Sequence, residues 1–351
     1  MTERRKTKKV RVRDTYIGGD APVSIQSMIN TPGDDVEKSV EQIRELVAAG
    51  CDIVRMAVPD TPALRSFAQI RKQIGIPLVA DIHFDHKLAL GALDAGADKI
   101  RINPGNIGPE ERIRTVLSAC RARNVPIRIG VNGGSLEKDL LKKYGHPVPE
   151  ALVESAERHL RICREADFDR VIVSIKSSRV PDMIQANRLF SERYEHPLHL
   201  GVTEAGTEHS GSIRSAIGIG TLLAAGIGDT LRVSLSADPV REIGVAKQIL
   251  QALELRRGGV RVISCPTCGR SFFDVSAVAE ALERRVKDVA RDMTVAVMGC
   301  VVNGPGEAKE ADIGIAGAGP GKVMLFENGN KTGILPLQGI VDILTARILK
   351  R

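Results

Sequence analysis

Three thiols near the end of the chain are spaced for a soft metal centre. Cys265 and Cys268 form a C-x-x-C pair in Cys265-Pro266-Thr267-Cys268-Gly269-Arg270. Cys300 follows in Met298-Gly299-Cys300-Val301-Val302-Asn303-Gly304-Pro305-Gly306-Glu307. Thiolates at such spacing hold zinc or an iron–sulfur cluster, and the fourth ligand separates the two. No fourth cysteine lies nearby and no histidine follows His209, so the nearest donor is Glu307, on a Gly/Pro-rich stretch that reads as a loop. A hard carboxylate on a soft thiolate site is exchangeable, which points to a cluster with one iron open to substrate. The spacing also leaves open a three-thiol zinc site completed by water or Glu307.

A second set of residues lies on the strands of the first two-thirds of the chain. From Val23 onward, β-branched runs alternate with amphipathic helical segments at a regular beat. Strands are expected at 23–29, 51–58, 76–82, 98–103, 126–132, 169–175, 198–203 and 229–235. Helices fall between them near 35–49, 61–74, 86–95, 109–123, 149–166, 181–194, 211–226 and 238–256. Eight such units predict a (β/α)8 TIM barrel, since a doubly wound sheet seldom repeats so evenly. Side chains two apart on a strand share a face. The inward sets then run Gln26/Met28, Arg55/Ala57, Asp81/His83, Arg101/Asn103, Arg128/Gly130/Asn132, Ser174/Lys176 and Arg232/Ser234, where a barrel normally places Val, Ile and Leu. Five cations (Arg55, Arg101, Arg128, Lys176, Arg232) face only Asp81 and Glu204. A buried unpaired cation costs several kcal/mol, so an anion must enter, and converging guanidinium forks match phosphate oxygens. A structural ion-pair network is the competing reading, and acids to complete it are scarce.

Single residues say less. His83 suits a proton donor or an ordinary strand-end histidine, and Glu204 suits a general acid or an arginine partner. Cys51, Cys120 and Cys163 read as packing thiols.

Leu255-Arg256-Arg257-Gly258-Gly259 marks a boundary, giving a barrel domain over 1–257 and a smaller α+β iron–sulfur domain over 258–351. The second holds a strand into Cys265, a helix near 275–291, a strand 294–299 into Cys300, a strand 311–316, a hairpin 322–327/331–335 and a closing helix 338–350. Gly317-Ala318-Gly319-Pro320-Gly321-Lys322 lacks the first Gly and the final Ser/Thr of a phosphate loop and reads as a turn. A barrel's eighth helix returns the chain to the bottom while its site opens at the top. The linker 256–260 spans about 18 Å at roughly 3.5 Å per residue, too little to carry a cluster to its own barrel mouth. A head-to-tail homodimer, each cluster capping the partner's barrel, is therefore expected.

The chain's formal net charge is +7, and residues 1–13 carry +6 of it. With 3% aromatic residues and no Trp, the chain offers little to stack on bases, so nucleic-acid binding is not expected. The arm either frays or forms a short hairpin over Lys9–Ile17 closing one face of the barrel. No apolar run is long enough for a membrane span, and free thiols without a disulfide framework fit a reducing cytoplasm.

Taken in order, Ile25-Gln26-Ser27-Met28, Ala80-Asp81-Ile82-His83-Phe84-Asp85, Arg101-Ile102-Asn103-Pro104-Gly105-Asn106, Arg128-Ile129-Gly130-Val131-Asn132, Val202-Thr203-Glu204-Ala205-Gly206 and Leu231-Arg232-Val233-Ser234 are very specific. With the two cysteine motifs, they resemble the bacterial two-domain form of the 4-hydroxy-3-methylbut-2-en-1-yl diphosphate synthase family of the non-mevalonate isoprenoid pathway, over nearly the whole chain. The resemblance implies reductive ring opening and dehydroxylation of 2-C-methyl-D-erythritol 2,4-cyclodiphosphate. It implies a [4Fe–4S] cluster on Cys265, Cys268, Cys300 and Glu307, with flavodoxin or ferredoxin as electron donor. Under it, Arg55, Arg101, Asn103, Arg128, Asn132, Lys176, Thr203, Arg232 and Ser234 become the expected substrate-binding set. Glu204 and His83 are expected in proton delivery or ring positioning, with Glu307 as the exchangeable ligand.

Overall fold

The computed structural model describes residues 2–103, 106–287 and 289–350. Pro104 and Gly105 of the Arg101–Asn106 motif, and Asp288 of the expected helix 275–291, lie outside the described residues. The chain divides into two compact units, Met1–Arg256 and Arg257–Arg351.

The first unit opens on a hairpin of β1 (Val10–Val12) and β2 (Thr15–Ile17), followed by β3 (Ser24–Met28), α1 (Val36–Ala49), β4 (Ile53–Ala57), α2 (Thr61–Arg71), β5 (Leu78–Ile82) and α3 (His86–Asp94). It continues through β6 (Lys99–Ile102), α4 (Glu110–Ala122), β7 (Ile127–Asn132), a short helix α5 (Lys138–Tyr144), α6 (Pro149–Glu165), β8 (Val171–Lys176) and α7 (Val180–Arg193). The last elements are β9 (His199–Leu200), α8 (Glu208–Ala224), β10 (Thr230–Leu231) and α9 (Pro239–Ala252). Eight strands pair in the order β8-β7-β6-β5-β4-β3-β10-β9, and a parallel bridge from Val173 to Leu198 brings the two ends together. This is the expected barrel.

Local chemistry starts its helices. Asp35, Asp60, Asp85 and Asp238 accept from backbone N–H groups of the first turns of α1, α2, α3 and α9, each cap stabilising by about 1 kcal/mol. Gly50 closes α1 in the left-handed region at φ 101°, which a side chain would strain. Outward strand residues such as Ile100, Ile129, Val173 and Leu231 are buried beneath the helices. Leu198, Leu200 and Val202 join them.

Two expectations change. β9 and β10 are two residues long rather than six or seven, and just past β9 Gly201 lets the Arg232 carbonyl and Lys176 Nζ approach to where a Cβ would lie 2.6 Å from both. The chain leaves the ladder there, so Thr203 and Ser234 lie on loops past the strand ends. The short helix α5 between β7 and α6 is additional, and Ser135 just before it receives a bond from Asn103.

The basic arm does not fray. Arg5 N and Lys8 N donate to the carbonyls of Gly226 and Glu195, while Arg4 and Thr7 bond Asp229 at 3.2 and 3.0 Å. Val10, Val12 and Ile17 of the hairpin pack on Ile53, Val79 and Ile172, sealing the N-terminal end of the barrel with apolar surface.

The second unit holds β11 (Val260–Ser264), α10 (Val275–Val286), β12 (Met293–Met298), α11 (Gly304–Glu310), β13 (Ile313–Gly317), β14 (Lys322–Glu327), β15 (Asn330–Pro336) and α12 (Ile340–Lys350). Its sheet runs in sequence order, parallel through β13 and antiparallel after it. One face (Val295, Val297, Ile315, Leu325) packs on Leu282 of α10 and Leu344 of α12. The other face (Ala296, Met298, Ala316) packs on Ala308 of α11. Burying Leu282 or Leu344 stabilises by roughly 2 kcal/mol each. The Gly317–Lys322 stretch is the turn between β13 and β14, as its sequence implies.

Candidate active site

Asp81 is the hub of the barrel interior. It ends the inward face of β5, is 2% exposed, and receives Arg101 Nη1 at 2.9 Å and Arg55 Nε at 3.4 Å. His83, two residues on, brings Nε2 to 3.5 Å from Asp81 and 3.2 Å from Arg101 Nη1. Burial works to raise the Asp81 carboxyl, but Arg55, His83 and Arg101 hold it well below the usual carboxylate range. Arg101 also donates to the Gly130 carbonyl at 3.3 Å. With its amide turned to satisfy both ends, Asn132 accepts from Arg101 Nη2 at 3.2 Å and donates to the Val131 carbonyl. Gly130 is required here, because a Cβ would meet Arg101 Nε at 2.5 Å.

Arg55 and Arg232 also have carboxylate partners, whereas Arg128 and Lys176 form no ion pair among the described residues. Arg128 is 1% exposed, and its Nε and Nη1 find no acceptor among the described residues. Lys176, at the end of β8, is buried, and Gly201 opposite leaves the space its amine fills. Burial, with Arg128, Arg55, Arg232 and Arg101 around it, pushes the Lys176 amine well down. Arg55, lowered to about 10 mainly by burial, stays protonated near neutral pH.

The expected charge balance needs two corrections. Glu204 is exposed and makes no hydrogen bond or ion pair among the described residues, so it is not the second acid of the barrel. That acid is Glu242 of α9, which takes Arg232 through two bonds of 3.2 and 3.3 Å and also binds Ser27 and Leu235 N. Helix periodicity gave no reason to single it out, although a Glu one turn into a helix packed on Arg232 was a usable signal. The second correction is Lys99, an additional inward cation at the start of β6 whose position two before Arg101 put it on the same face.

Glu204 is distinctive for its backbone. It sits at φ +53°, a left-handed conformation that costs a non-glycine residue roughly 1 kcal/mol or more and persists where surrounding structure imposes it. That conformation sets the exposed carboxyl on the loop between Thr203 and Ala205 at the C-terminal end of β9. Thr203 N is bonded to the Ser177 carbonyl, Asn103 to Ser135, and Ser234 is half-buried nearby in sequence to Arg232.

In the second unit the thiols stand at the C-terminal ends of neighbouring parallel strands, Cys265 after β11 and Cys300 after β12. Gly299 N donates to Cys265 Sγ at 3.2 Å, and Phe272 N donates to the Gly299 carbonyl at 2.9 Å, lacing the two cysteine loops together. A Cβ on Gly299 would meet Ser271 Oγ at 2.3 Å, so only glycine permits this approach. The N–H of Val302, then that of Asn303 and the Arg270 side chain, lower the Cys300 thiol and favour the thiolate a metal needs. Glu307 lies in the first turn of α11 rather than on a loop, and it is exposed, as is Cys268. Pro305 at the start of α11 is compatible with a first turn, which is why the Gly/Pro run is helical. Among the described residues no three His, Cys, Asp or Glu side chains converge tightly enough to hold a single ion. Three soft thiols on loops after neighbouring strands, with a carboxylate on the first turn of α11, are donors that suit an iron–sulfur cluster. Cys51, Cys120 and Cys163 are buried thiols, each pushed up to about 12 mainly by burial, and remain inert packing residues.

The family model described as the GcpE TIM-barrel domain matches residues 7–247, and that of the GcpE protein C-terminal domain matches 261–350. The chain belongs to the GcpE family. It is 54% identical to a protein of Geobacter sulfurreducens over 98% of each chain. It is 57% identical to one of Clostridium perfringens over 93% of each. Both relatives are named 4-hydroxy-3-methylbut-2-en-1-yl diphosphate synthase (flavodoxin). Among solved structures, type I 3-dehydroquinate dehydratase of Clostridium difficile aligns at TM-score 0.52 and 16% identity, covering 71% of this chain and 98% of that one. Dihydropteroate synthase of Yersinia pestis aligns at 0.51 and 14%, covering 71% and 99%. These two share the barrel fold alone. No helix among the described residues is long and apolar enough to cross a membrane.

Proposed function

We propose that the chain catalyses the reaction named in its GcpE relatives, forming (E)-4-hydroxy-3-methylbut-2-en-1-yl diphosphate by reductive opening of 2-C-methyl-D-erythritol 2,4-cyclodiphosphate. The observation that carries this reading is the cation surplus of a buried barrel interior, with Arg128 Nε and Nη1 lacking an acceptor among the described residues, in a chain that also presents three thiols and a carboxylate. Arg55, Arg101, Arg128, Lys176 and Arg232 bind the diphosphate and stabilise the charge that develops as the C–O bond to phosphate breaks. Asn103, Asn132, Thr203 and Ser234 orient the ring and phosphates from the strand ends. His83 is held by Asp81 and Arg101, which suits positioning, while the unpartnered Glu204 carboxyl suits proton delivery to the departing hydroxyl.

Cys265, Cys268, Cys300 and Glu307 would hold a [4Fe–4S] cluster, which when bound supplies electrons one at a time and Lewis acidity. Flavodoxin is the electron donor, in keeping with the relatives' names. Anaerobically prepared protein with reduced flavodoxin should convert the cyclic diphosphate to the allylic diphosphate. Failure with iron-loaded protein would sink the assignment.

The working unit is a head-to-tail dimer in which one chain's thiol loops serve the partner's barrel. Support comes from the short linker and from apolar surface exposed beside each site, Phe84 after β5 and Val301 and Val302 after Cys300. Mixing Cys300→Ala chains with Glu204→Gln chains should restore activity that neither has alone. A mixture as inactive as its components would contradict the shared site.

A further inference from the structure

Lys99 is not explained by substrate contacts. It opens β6 one inward layer nearer the hairpin than Arg101, beside Val79 of β5. The residue is fully buried, and among the described residues its Nζ has a single acceptor, Gln26 Oε1 at 3.2 Å. Neither carboxylate serves it: Asp81 is occupied by Arg55, Arg101 and His83, and Glu242 by Arg232. The charged and titratable groups that act on it are Arg128 of β7 and Arg55 of β4, and it in turn acts on His199 of β9. The hairpin below closes this end of the barrel with Val10, Val12 and Ile17. Burial, with Arg128, Lys176 and Lys99 nearby, pushes His199 well down, so it adds no charge near neutral pH.

Without ligand, four guanidinium groups outnumber two carboxylates by two charges before either buried amine, Lys99 or Lys176, is counted, and arginine keeps its proton. Burial first, then Arg128 and Arg55, push the Lys99 amine well down. A fully ionised open-chain diphosphate brings about three negative charges and cancels the surplus. With the repulsion gone, a proton from solvent can be held on Lys99 Nζ.

We propose that Lys99 is a positioning residue that couples the charge of the bound ligand to proton uptake, a free amine in the empty barrel and an ammonium once a diphosphate fills it. The inference rests on the proposed diphosphate chemistry. In that reaction the ring C–O bond breaks, two electrons and one proton enter, water leaves, and the ligand gains one negative charge on the freed phosphate. The Lys99 proton is additional to the one consumed in water, and it must be lost again when product leaves.

The test is calorimetry of inorganic diphosphate binding to the full chain in two buffers of different ionisation enthalpy. After allowing for the diphosphate's own titration, wild type should take up about one proton per ligand more than Lys99→Met does. Rising pH should weaken wild-type binding by up to about tenfold per pH unit more than it weakens the variant. Equal proton counts for the two proteins would overturn the proposal. If Lys99→Met does not fold, Lys99→Gln takes its place, and a proton count equal to that of wild type is the contrary result. Diphosphate that fails to bind wild type at all would instead count against the proposed function.

Discussion

The barrel interior and the thiol loops place their working groups in opposite surroundings. Asp81, Arg101 and Arg128 are at most 4% exposed, and the first two are cross-bonded through one carboxylate. Cys268 and Glu307 are exposed, and the second unit's core of Val295, Leu282 and Leu344 does not involve them. In the barrel, folding and binding therefore draw on the same side chains. In the thiol unit, the apolar core supplies stability and the loops supply chemistry, so a ligand can be removed there without loss of fold.

That contrast can be broken at several points. Cys300→Ala should lower turnover by about 100-fold or more while leaving the denaturation midpoint nearly unchanged, checked by activity and urea melts. An accompanying large loss of stability would blur the distinction. Glu204→Gln should lower kcat by roughly 10²- to 10⁴-fold with iron content intact. Normal turnover would remove Glu204 from proton delivery.

Asp81→Asn should destabilise by about 3–5 kcal/mol, since it leaves Arg55 and Arg101 buried without their acid, and should weaken binding as well. The same residue sets a pH signature. Its folded carboxyl lies well below the ordinary value, so its contribution is fully present above about pH 4 and is lost as pH falls through the folded value. Acid melts of Asp81→Asn should lack that part of the decline. The smallest effect is expected far from both sites: Arg4→Ala should cost about 1 kcal/mol through Asp229 and the Ala21 carbonyl, with unchanged kcat.

Much of the architecture was legible because it rests on short-range signals. The even beat of strands and helices carried the barrel, and two-residue parity found Arg55, Asp81, Arg101, Arg128 and Lys176 on one face. What sequence could not supply depended on contacts between distant segments. Glu242 finds Arg232 through the packing of α9, which no local pattern encodes. Lys99 shares the inward parity of Arg101 but lies at the strand start, toward the end of the barrel that the apolar hairpin closes. The left-handed backbone of Glu204 and the approach of Ser271 to Gly299 likewise arise from tertiary geometry. In the thiol unit, spacing identified Cys265, Cys268 and Cys300, while the helix carrying Glu307 was hidden by a Gly/Pro-rich sequence that usually marks a loop.

The most direct measurement is single-turnover conversion of the cyclic diphosphate by chemically reduced protein, across preparations of graded iron content. Allylic diphosphate formed per chain should rise in proportion to bound iron and vanish in the iron-free sample. Product made equally well without iron, or by the zinc-loaded protein, would contradict a role for the thiol loops in delivering electrons to a ligand held by the barrel's arginines.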